Sequence, residues 1–274
     1  MSARHLAVWG DPIAHSKSPA LHSAAIRVLG LEWEYGRRQV NADGFAAAID
    51  DLDHSWRGLS LTMPLKEVAF RAAVRHDRHA ELTGAVNTLL LEPESAGFNT
   101  DVGGIIDAFA EHEVRSVVRA RILGAGATAA SALVAAVEMG AQRIDVRARR
   151  PERAIPLRAL GERLGVEVSV SEFAAKIDQV DVTVATLPGG AVLDGSAAFA
   201  AGGGTLLDVA YAPWPSALAA AWPSGQVIPG VAMLLHQAVR QVRVFVHGSP
   251  LHELEDEAGV LAAMRTALMV STQP

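Results

Sequence analysis

Short apolar runs alternate with longer amphipathic stretches along almost the whole chain, and this alternation constrains the fold more than any other feature. Apolar runs bounded by Gly, Pro or Asp are typical of buried strands, whereas apolar residues with a helical period are typical of amphipathic helices. Strands that alternate with helices form mainly parallel sheets covered by helices. Because the chain has 274 residues, longer than most single domains, we expect two α/β units.

The first part of the chain predicts a mainly parallel sheet with helices on its faces. The predicted strands are residues 6–9, 33–40, 58–62 and 85–91, the last as an edge strand. The predicted helices are residues 20–29, 44–53 and 66–76. Glycine or proline ends several of these elements, as at Gly30 and Pro64.

The second part predicts a doubly wound nucleotide-binding unit. A helix from 103 to about 119 leads into strands at 121–123, 143–147, 166–170, 180–185 and 205–209, with a helix at 127–139. Helices at 233–246 and 253–268 follow, and they could return to the first unit.

Composition excludes several classes of function. The formal net charge of -6 gives no general attraction to nucleic acid or to an anionic membrane, so we expect neither as a partner. The absence of cysteine excludes disulfides, thiolate metal sites and a cysteine nucleophile, and it fits a reducing cytosol. The start does not read as a signal peptide, and no apolar run reaches the roughly 18 residues of a membrane span. We therefore expect a soluble, cytoplasmic protein.

A glycine-rich turn, Gly124-x-Gly126-x-x-Ala129, follows one predicted strand and opens an alanine-rich helix. In dinucleotide-binding domains the first glycine permits a tight turn and the second lets the backbone approach a pyrophosphate. The small third residue lets helix and strand pack closely. The helix start then offers N–H groups and positive potential to phosphates. This placement favours a dinucleotide site, although in an alanine- and glycine-rich chain the pattern could be a plain helix start.

The end of the next predicted strand indicates which dinucleotide would bind. NAD-binding domains usually place Asp or Glu there, about 20 residues after the glycines. Here the strand leads into Arg149 and Arg150, and the nearby Asp145 comes too early and should project along the strand. Because arginine binds phosphate through two parallel N–H donors, the cluster favours the extra phosphate of NADP. The alternative is a solvated, basic helix start.

A lysine and an aspartate follow two other predicted strands. Lys66 comes after Pro64 at the end of an apolar strand, and Asp101 lies in a glycine-flanked turn. Reversible reduction of a ketone needs a group that donates a proton to the oxygen and takes it back. A lysine beside a carboxylate can serve, and the pair would then titrate as one unit. Taken singly, Lys66 could be a surface lysine and Asp101 a helix cap.

Five more polar positions are candidates for ligand contact. If their loop is extended, Ser16 and Ser18 point the same way and could hold a carboxylate or a polyol. Ser18, which precedes a proline, could instead be a helix N-cap. Asn87 is an amide in an otherwise apolar strand, where burial is costly without a partner. Tyr211 follows a predicted strand, and Gln237 lies on the predicted helix after Gly230. Each could be an ordinary core or rim residue.

The chain resembles the shikimate dehydrogenase family, and the likeness runs from end to end. Seven motifs in the family's order carry it: GDPIAHSKSP at 10–19, LTMPLK at 61–66, GAVNT at 84–88, NTD at 99–101, GAGATA at 124–129, DVAYAP at 208–213 and GVAMLLHQA at 230–238. Together they are far more specific than any one of them.

The resemblance implies NADPH-dependent reduction of 3-dehydroshikimate to shikimate, a step of aromatic amino-acid biosynthesis. It also implies two α/β domains separated by a cleft. The substrate-binding and catalytic domain would be residues 1–102 and 235–274, with a mainly parallel sheet. A Rossmann-type, doubly wound NADP domain would be residues 103–234. The partner would be a small-molecule substrate, and a homodimer is one open form of assembly.

The resemblance also implies residue roles, carried over from the matching motifs. Lys66 and Asp101 would form the catalytic pair, with Lys66 donating and accepting the proton. The substrate carboxylate would be held by Ser16, Ser18 and Tyr211, and the ring hydroxyls by Thr62, Asn87 and Gln237. The cofactor would be held by Gly124, Gly126, Ala127, Thr128, Ala129, Ala130, Arg149, Arg150, Val209, Gly230 and Met233. No metal site is expected.

One departure from the family leaves alternatives open. The usual Asn-Arg-Thr after the second cofactor strand is Ala148-Arg149-Arg150 here, so the adenosine side could be bound differently while the central arginine still favours NADP. A quinate or quinate/shikimate dehydrogenase that uses NAD shares nearly all the motifs. A non-catalytic, ligand-sensing relative is the other alternative, and the presence of both Lys66 and Asp101 argues against it.

Overall fold

The computed structural model describes residues 4–270. The chain divides into two compact units, one made of Met1–Thr100 with Gln237–Pro274 and the other of Asp101–His236. Each unit contains a six-stranded sheet and helices, so the α/β class predicted from the sequence is confirmed.

Helices and strands alternate along most of the chain, as the pattern predicts. Up to residue 111 they are β1 (Arg4–Gly10), α1 (Ser18–Val28), β2 (Trp33–Gln39), α2 (Phe45–Asp50), β3 (Trp56–Leu61), α3 (Lys66–Ala72), β4 (Arg75–His76), α4 (Arg78–Thr83), β5 (Thr88–Leu90), β6 (Ala96–Phe98) and α5 (Asp101–Glu111). Beyond it they are β7 (Arg119–Leu123), α6 (Ala127–Glu138), β8 (Arg143–Arg147), α7 (Ile155–Leu164), β9 (Glu167–Ser171), β10 (Val182–Ala185), α8 (Ser196–Gly202), β11 (Thr205–Asp208), α9 (Ala217–Ala221), β12 (Val227–Pro229), α10 (Gly230–His247) and α11 (Glu257–Val270). Within 4–270, none of the helices combines the length and the apolar character needed to cross a membrane.

The sheet of the first unit has the strand order β2-β1-β3-β5-β6-β4, in which only β5 is antiparallel to its neighbours. Ser60 of β3 is opposite Thr88 of β5, which is opposite Phe98 of β6. The ends of β1, β3 and β6 and the start of β5 therefore lie along one edge of the sheet. Beneath that edge, the fully buried Trp9 and Leu59 belong to an apolar cluster that holds the strands in place.

The sheet of the second unit is entirely parallel, with the order β12-β11-β10-β7-β8-β9. Counted within the unit, this is the order 6-5-4-1-2-3 of a doubly wound dinucleotide-binding sheet. The direction of winding changes between β7 and β10, which makes their carboxyl ends the topological switch point. The expectation of a doubly wound second unit is confirmed.

Several local predictions are wrong, and each error has a local cause. The helix predicted at 66–76 ends at Ala72, because the next residue has an extended backbone and β4 then pairs with β6. The strand predicted at 85–91 as an edge strand is β5, which lies inside the sheet. β6 is too short to give a periodic signal, but it pairs with β5 on the side away from β3. The helix predicted up to about 119 ends at Glu111. The elements missed altogether are short or weakly patterned: β4, α4, β6, α7, α8, α9 and β12.

Candidate active site

One edge of the first unit's sheet gathers polar residues from three strands. Thr62 follows β3, Asn87 precedes β5 and Thr100 follows β6. Backbone hydrogen bonds align these ends, since Leu61 N donates to Asn87 O at 2.7 Å and Asn87 N donates to Phe98 O at 3.0 Å. Asn87 and Thr100 are buried, whereas Thr62 is half-buried. Residues that are far apart in sequence thus meet at the same edge.

The loop with the two serines is not extended. Ser16 N donates to Ile13 O at 3.0 Å, and Lys17 has helical backbone angles of -86° and -7°, so the predicted alternation of side chains does not apply. Ser18 is the first residue of α1, and the residue at the N-cap position is Lys17, so a capping role for Ser18 is wrong. Instead, Ser18 N donates to Ser16 Oγ at 3.3 Å, which brings the two serines together by a different route.

Lys66 and Asp101 are both the first residues of helices, but helix stability explains only one of them. A helix start carries positive potential, which favours a carboxylate and disfavours a cation. Asp101, 5% exposed, therefore has a sufficient structural reason to begin α5. The half-buried Lys66 has no such reason to begin α3. Lys66 lies in the first unit, and Asp101 begins the second.

Asn87 is 1% exposed, and both ends of its amide are hydrogen-bonded. Its Oδ1 accepts from Thr100 N at 2.9 Å and from Thr88 Oγ1 at 2.8 Å. Its Nδ2 donates to Thr100 Oγ1 at 2.9 Å and to Gln237 Oε1 at 3.4 Å. The structure therefore brings together Asn87 and Gln237, two of the residues predicted for the ring hydroxyls.

A buried histidine and tyrosine support the start of α1 from below. The His22 and Tyr35 rings stack with centroids 4.0 Å apart and planes 12° apart, and His22 Nδ1 lies 2.9 Å from Ser18 O. Because a carbonyl only accepts, Nδ1 carries the proton of the neutral ring. A second proton would go to the buried Nε2, which forms no hydrogen bond of normal geometry with the described residues, although the Gln241 side chain is close enough to favour the protonated ring. Burial accordingly lowers the pKa of His22 to about 4 and raises the pKa of the Tyr35 phenol.

We expect His22 to make stability fall in mild acid. Its folded-state pKa of about 4 is below the ordinary value of 6.5, so below pH 6.5 the unfolded chain takes up the proton first. The contribution of the neutral His22 ring to the free energy of unfolding is complete above pH 6.5. It is lost as the pH falls towards 4, by on the order of 3 kcal/mol in total. Urea unfolding of the parent and of His22→Phe between pH 4.5 and 7 measures it. Equal pH slopes for the two proteins would contradict this expectation.

The switch point of the second unit's sheet is formed by Gly124 after β7 and Thr186 after β10. Gly124 has φ +122°, and a Cβ on it would lie 2.3 Å from Thr186 Oγ1, so both conformation and space require glycine. Thr186 Oγ1 in turn donates to Leu123 O at 3.0 Å. Doubly wound sheets bind nucleotides at this point. The predicted glycine turn therefore lies where the fold provides a ligand crevice.

The start of α6 has the features that a pyrophosphate needs. A Cβ on Gly126 would meet no atom within 4 Å, and no side chain caps the helix. The N–H groups of Ala127 and Thr128, in the first turn, can therefore bind an anion. Ala129 N and Ala130 N donate to Gly126 O at 2.9 and 3.2 Å, and both side chains are buried. The small size of these two alanines lets the helix pack closely on the sheet.

The arginines around the end of β8 differ in environment. Arg121, 0% exposed, and Arg147, 4% exposed, share the carboxylate of Asp145, with Nε atoms 2.9 and 2.7 Å from its two oxygens. Arg147 also donates to three backbone carbonyls of the segment after β9. The exposed side chains of Arg149 and Arg150 have no hydrogen bond or ion pair with any described residue. Asp145 is thus neutralised within the sheet, while these two arginines can bind a phosphate.

The remaining residues predicted for the cofactor lie around the end of β11. A Cβ on Gly230 would lie 2.4 Å from Val209 O, so only glycine lets the start of α10 approach β11 this closely. Met233 is buried, and Val209 and Tyr211 are half-buried. Burial raises the pKa of the Tyr211 phenol.

Sequence reasoning missed the residues that hold Asn87 in place. Thr88 and Thr100 contact its amide directly, and the buried Gln241 contacts its backbone carbonyl at 3.0 Å. The signal for Gln241 was its position four residues after Gln237, which places both amides on one face of α10. The threonines gave no pattern of their own, because their contacts depend on strand register.

The second unit has a doubly wound sheet with a glycine turn at its switch point, and the first unit has a lysine and buried amides at one edge of its sheet. Together these features are typical of a two-unit, dinucleotide-dependent oxidoreductase. Residues 8–89 match the family model of the shikimate dehydrogenase substrate binding domain. The chain belongs to the shikimate dehydrogenase family, since members of that family are 32% identical to it over 96% of its length.

Relatives support this membership over nearly the whole length. The NADP(+) shikimate dehydrogenase of Thermus thermophilus is 32% identical over 276 residues, which cover 96% of this chain and 98% of that protein. The crystal structure of Mycobacterium tuberculosis shikimate dehydrogenase is 36% identical with a TM-score of 0.84, covering 96% and 99% of the two chains. A Thermus thermophilus structure in complex with NADP(H) and shikimate is 29% identical with a TM-score of 0.81, covering 96% and 99%. The match to a pentafunctional AROM polypeptide of Malassezia globosa spans only 18% of that longer protein.

Proposed function

We propose that this chain catalyses the reversible, NADPH-dependent reduction of 3-dehydroshikimate to shikimate. It would bind substrate in a domain of residues 1–102 and 235–274 and NADP in a domain of residues 103–234. Family membership and relatives named NADP(+) shikimate dehydrogenase support the reaction and the cofactor.

The observation that carries this proposal is the polar edge of the first unit's sheet. Two of the residues proposed to contact the substrate, Thr62 and Asn87, belong to this edge. A third, Gln237 of α10, contacts Asn87, and α1 opens with Ser18. Hydroxyl and amide groups are suited to a polyhydroxylated ring, because each ring oxygen can then both donate and accept. Ser16 and Ser18, with Tyr211, would bind the substrate carboxylate.

Lys66 would carry the proton. When bound, NADPH supplies a hydride to the ketone carbon. The Lys66 ammonium would donate a proton to the ketone oxygen as charge develops on it, and in the reverse direction the amine would take the proton from the alcohol. Asp101 would be the second member of the catalytic pair.

The cofactor would be held by the glycine turn and by arginine. Gly124, Gly126, Ala127 and Thr128 would receive the pyrophosphate at the start of α6. Ala129 and Ala130 would act through close packing, and Arg149 with Arg150 would bind the extra phosphate of NADP. Val209, Gly230 and Met233 would line the nicotinamide end.

We expect Arg149→Ala to raise the KM for NADPH by about 10- to 100-fold, the scale of one or two charge-assisted hydrogen bonds. The KM for NADH should change little, because NADH lacks the extra phosphate. Initial-rate kinetics with both cofactors measure the effect. Arg163→Ala, which removes an exposed arginine in the last turn of α7, is the control. Equal losses with the two cofactors would remove the basis for preferring NADP.

The proposed reaction is tested by steady-state kinetics with shikimate and quinate, each with NADP and NAD. We expect the highest kcat/KM with shikimate and NADP. A strong preference for quinate and NAD would favour the alternative enzyme of the same family. No turnover with any of the four pairs, despite measurable binding of shikimate, would favour a ligand-sensing protein.

The assembly and the compartment stay predictions. A homodimer would be detected by light scattering with a mass near twice the 28.8 kDa of the chain. A cytoplasmic location agrees with the lack of cysteine, and fractionation of the source cells would test it.

A further inference from the structure

A chain of buried polar groups continues from Asn87 into the interior of the first unit. It consists of Thr88, Gln241 and Ser60, which we call the amide relay. Gln241 is 2% exposed and Ser60 is 2% exposed, and Thr88 is fully buried. None of these three is among the residues proposed to contact substrate or cofactor.

The orientation of the Gln241 amide is fixed by its neighbours. Its Nε2 donates to the backbone oxygen of Asn87 at 3.0 Å and to Thr88 Oγ1 at 3.0 Å, and its Oε1 accepts from Ser60 Oγ at 2.8 Å. Because a backbone carbonyl only accepts, the NH2 end must face Asn87. An amide turned the other way would place two acceptors against each other in a buried site, which is costly.

This orientation determines where the Thr88 hydroxyl proton points. Since Thr88 Oγ1 accepts from Gln241, its own O–H donates to Asn87 Oδ1 at 2.8 Å. The N–H of Thr100 donates to the same oxygen at 2.9 Å. Two donors therefore hold the carbonyl end of the Asn87 side chain. Its NH2 end faces Thr100 Oγ1, at 2.9 Å, and Gln237 Oε1.

We propose that Gln241 is a positioning residue that, through Thr88, makes Asn87 present an N–H donor to an oxygen of the bound substrate. The proposal rests on the proposed function, in which Asn87 contacts a ring hydroxyl. The hydrogen bond from Asn87 Nδ2 to Gln237 Oε1 is long, at 3.4 Å, so this N–H is the one that a substrate oxygen would take. The site would therefore select a substrate with an oxygen acceptor at that point.

The test is Gln241→Met, which keeps the length of the side chain and removes both hydrogen-bonding groups. We expect the KM and the Kd for shikimate to rise about 10-fold, the scale of one hydrogen bond lost to substrate. The KM for NADPH and the kcat should stay within about twofold, because a positioning effect on Asn87 concerns substrate binding alone. Val242→Ala, a packing change at the next buried position of α10, should leave the KM for shikimate unchanged.

A double-mutant cycle separates positioning from packing. If Gln241 acts through Asn87, then Gln241→Met should have no further effect on the KM for shikimate in an Asn87→Ala background. If Gln241→Met does not fold, Ser60→Ala tests the same relay from its far end and should raise that KM by a smaller factor.

Each result decides for or against the relay. An unchanged KM in both relay variants, or equal effects of Gln241→Met with and without Asn87, would overturn the proposal. A parent enzyme with no activity on shikimate would instead refute the proposed function, and the two failures are thereby distinguished.

Discussion

Lys66→Ala is expected to lower kcat by at least about 100-fold, the usual scale for a lost general acid–base group, with little change in substrate affinity. The reason is that the ketone oxygen would then have no positioned proton donor, whereas the groups that bind the ring and the carboxylate stay in place. The position of a cation at the start of α3, where the helix potential disfavours it, supports a role other than helix stability. Steady-state kinetics measure the loss of kcat, and direct binding of shikimate measures the substrate affinity.

One further variant separates the charge of Lys66 from its proton transfer, and a second serves as a control. Lys66→Arg keeps a cation but does not release its proton near neutral pH, so it should remain almost as slow as Lys66→Ala. Lys176→Ala removes a lysine that is 91% exposed and should leave kcat unchanged. Activity near the parent level in Lys66→Ala would show that another group handles the proton.

Asp145→Ala is expected to lower the free energy of unfolding by about 3–5 kcal/mol, the usual cost of breaking a buried ion pair from one side. Asp145 is the shared counter-charge of Arg121 and Arg147, whose side chains are 0% and 5% exposed. Without it, two guanidinium groups would be buried on adjacent strands with no carboxylate between them. Since whole domains are stable by only about 5–15 kcal/mol, this loss should be evident in urea unfolding.

An exposed ion pair on the neighbouring strand provides the matched control. Glu167 pairs with Arg143 at 3.0 Å, but the two side chains are 71% and 69% exposed. Glu167→Ala should therefore cost no more than about 1 kcal/mol. If Asp145→Ala and Glu167→Ala lowered stability equally, the buried arginines would not depend on Asp145.

Much of the fold could be predicted because hydrophobic periodicity, and the glycines and prolines that end helices and strands, are local properties of the sequence. Alternation of apolar runs and amphipathic stretches predicted both α/β units and a doubly wound second sheet, whereas the order of its strands came from the structure. Several of the elements that were not predicted are short. β6 has three residues, too few for any period to show, and its absence made β5 look like an edge strand.

The place of a predicted segment in the fold could be foreseen where one short stretch carries the pattern, as with the glycine turn from Gly124, which lies at the switch point of the second sheet. A residue's role was less predictable where it depends on environment. Ser18 resembled a helix cap by its position before proline, yet it begins the helix without capping it. Asp145 gave no sign of its two arginine partners, because one of them, Arg121, lies on the adjacent strand.

The sequence by itself determined the alternating α/β architecture, the dinucleotide turn and the family, because each of these depends on residues close together in the chain. Only the tertiary structure decided which polar groups are buried together. Thr88, Gln237 and Gln241 meet at Asn87 because strand pairing and the packing of α10 bring together residues up to 154 positions apart. Once buried, each of these groups had to find a partner, and that requirement fixed their orientation.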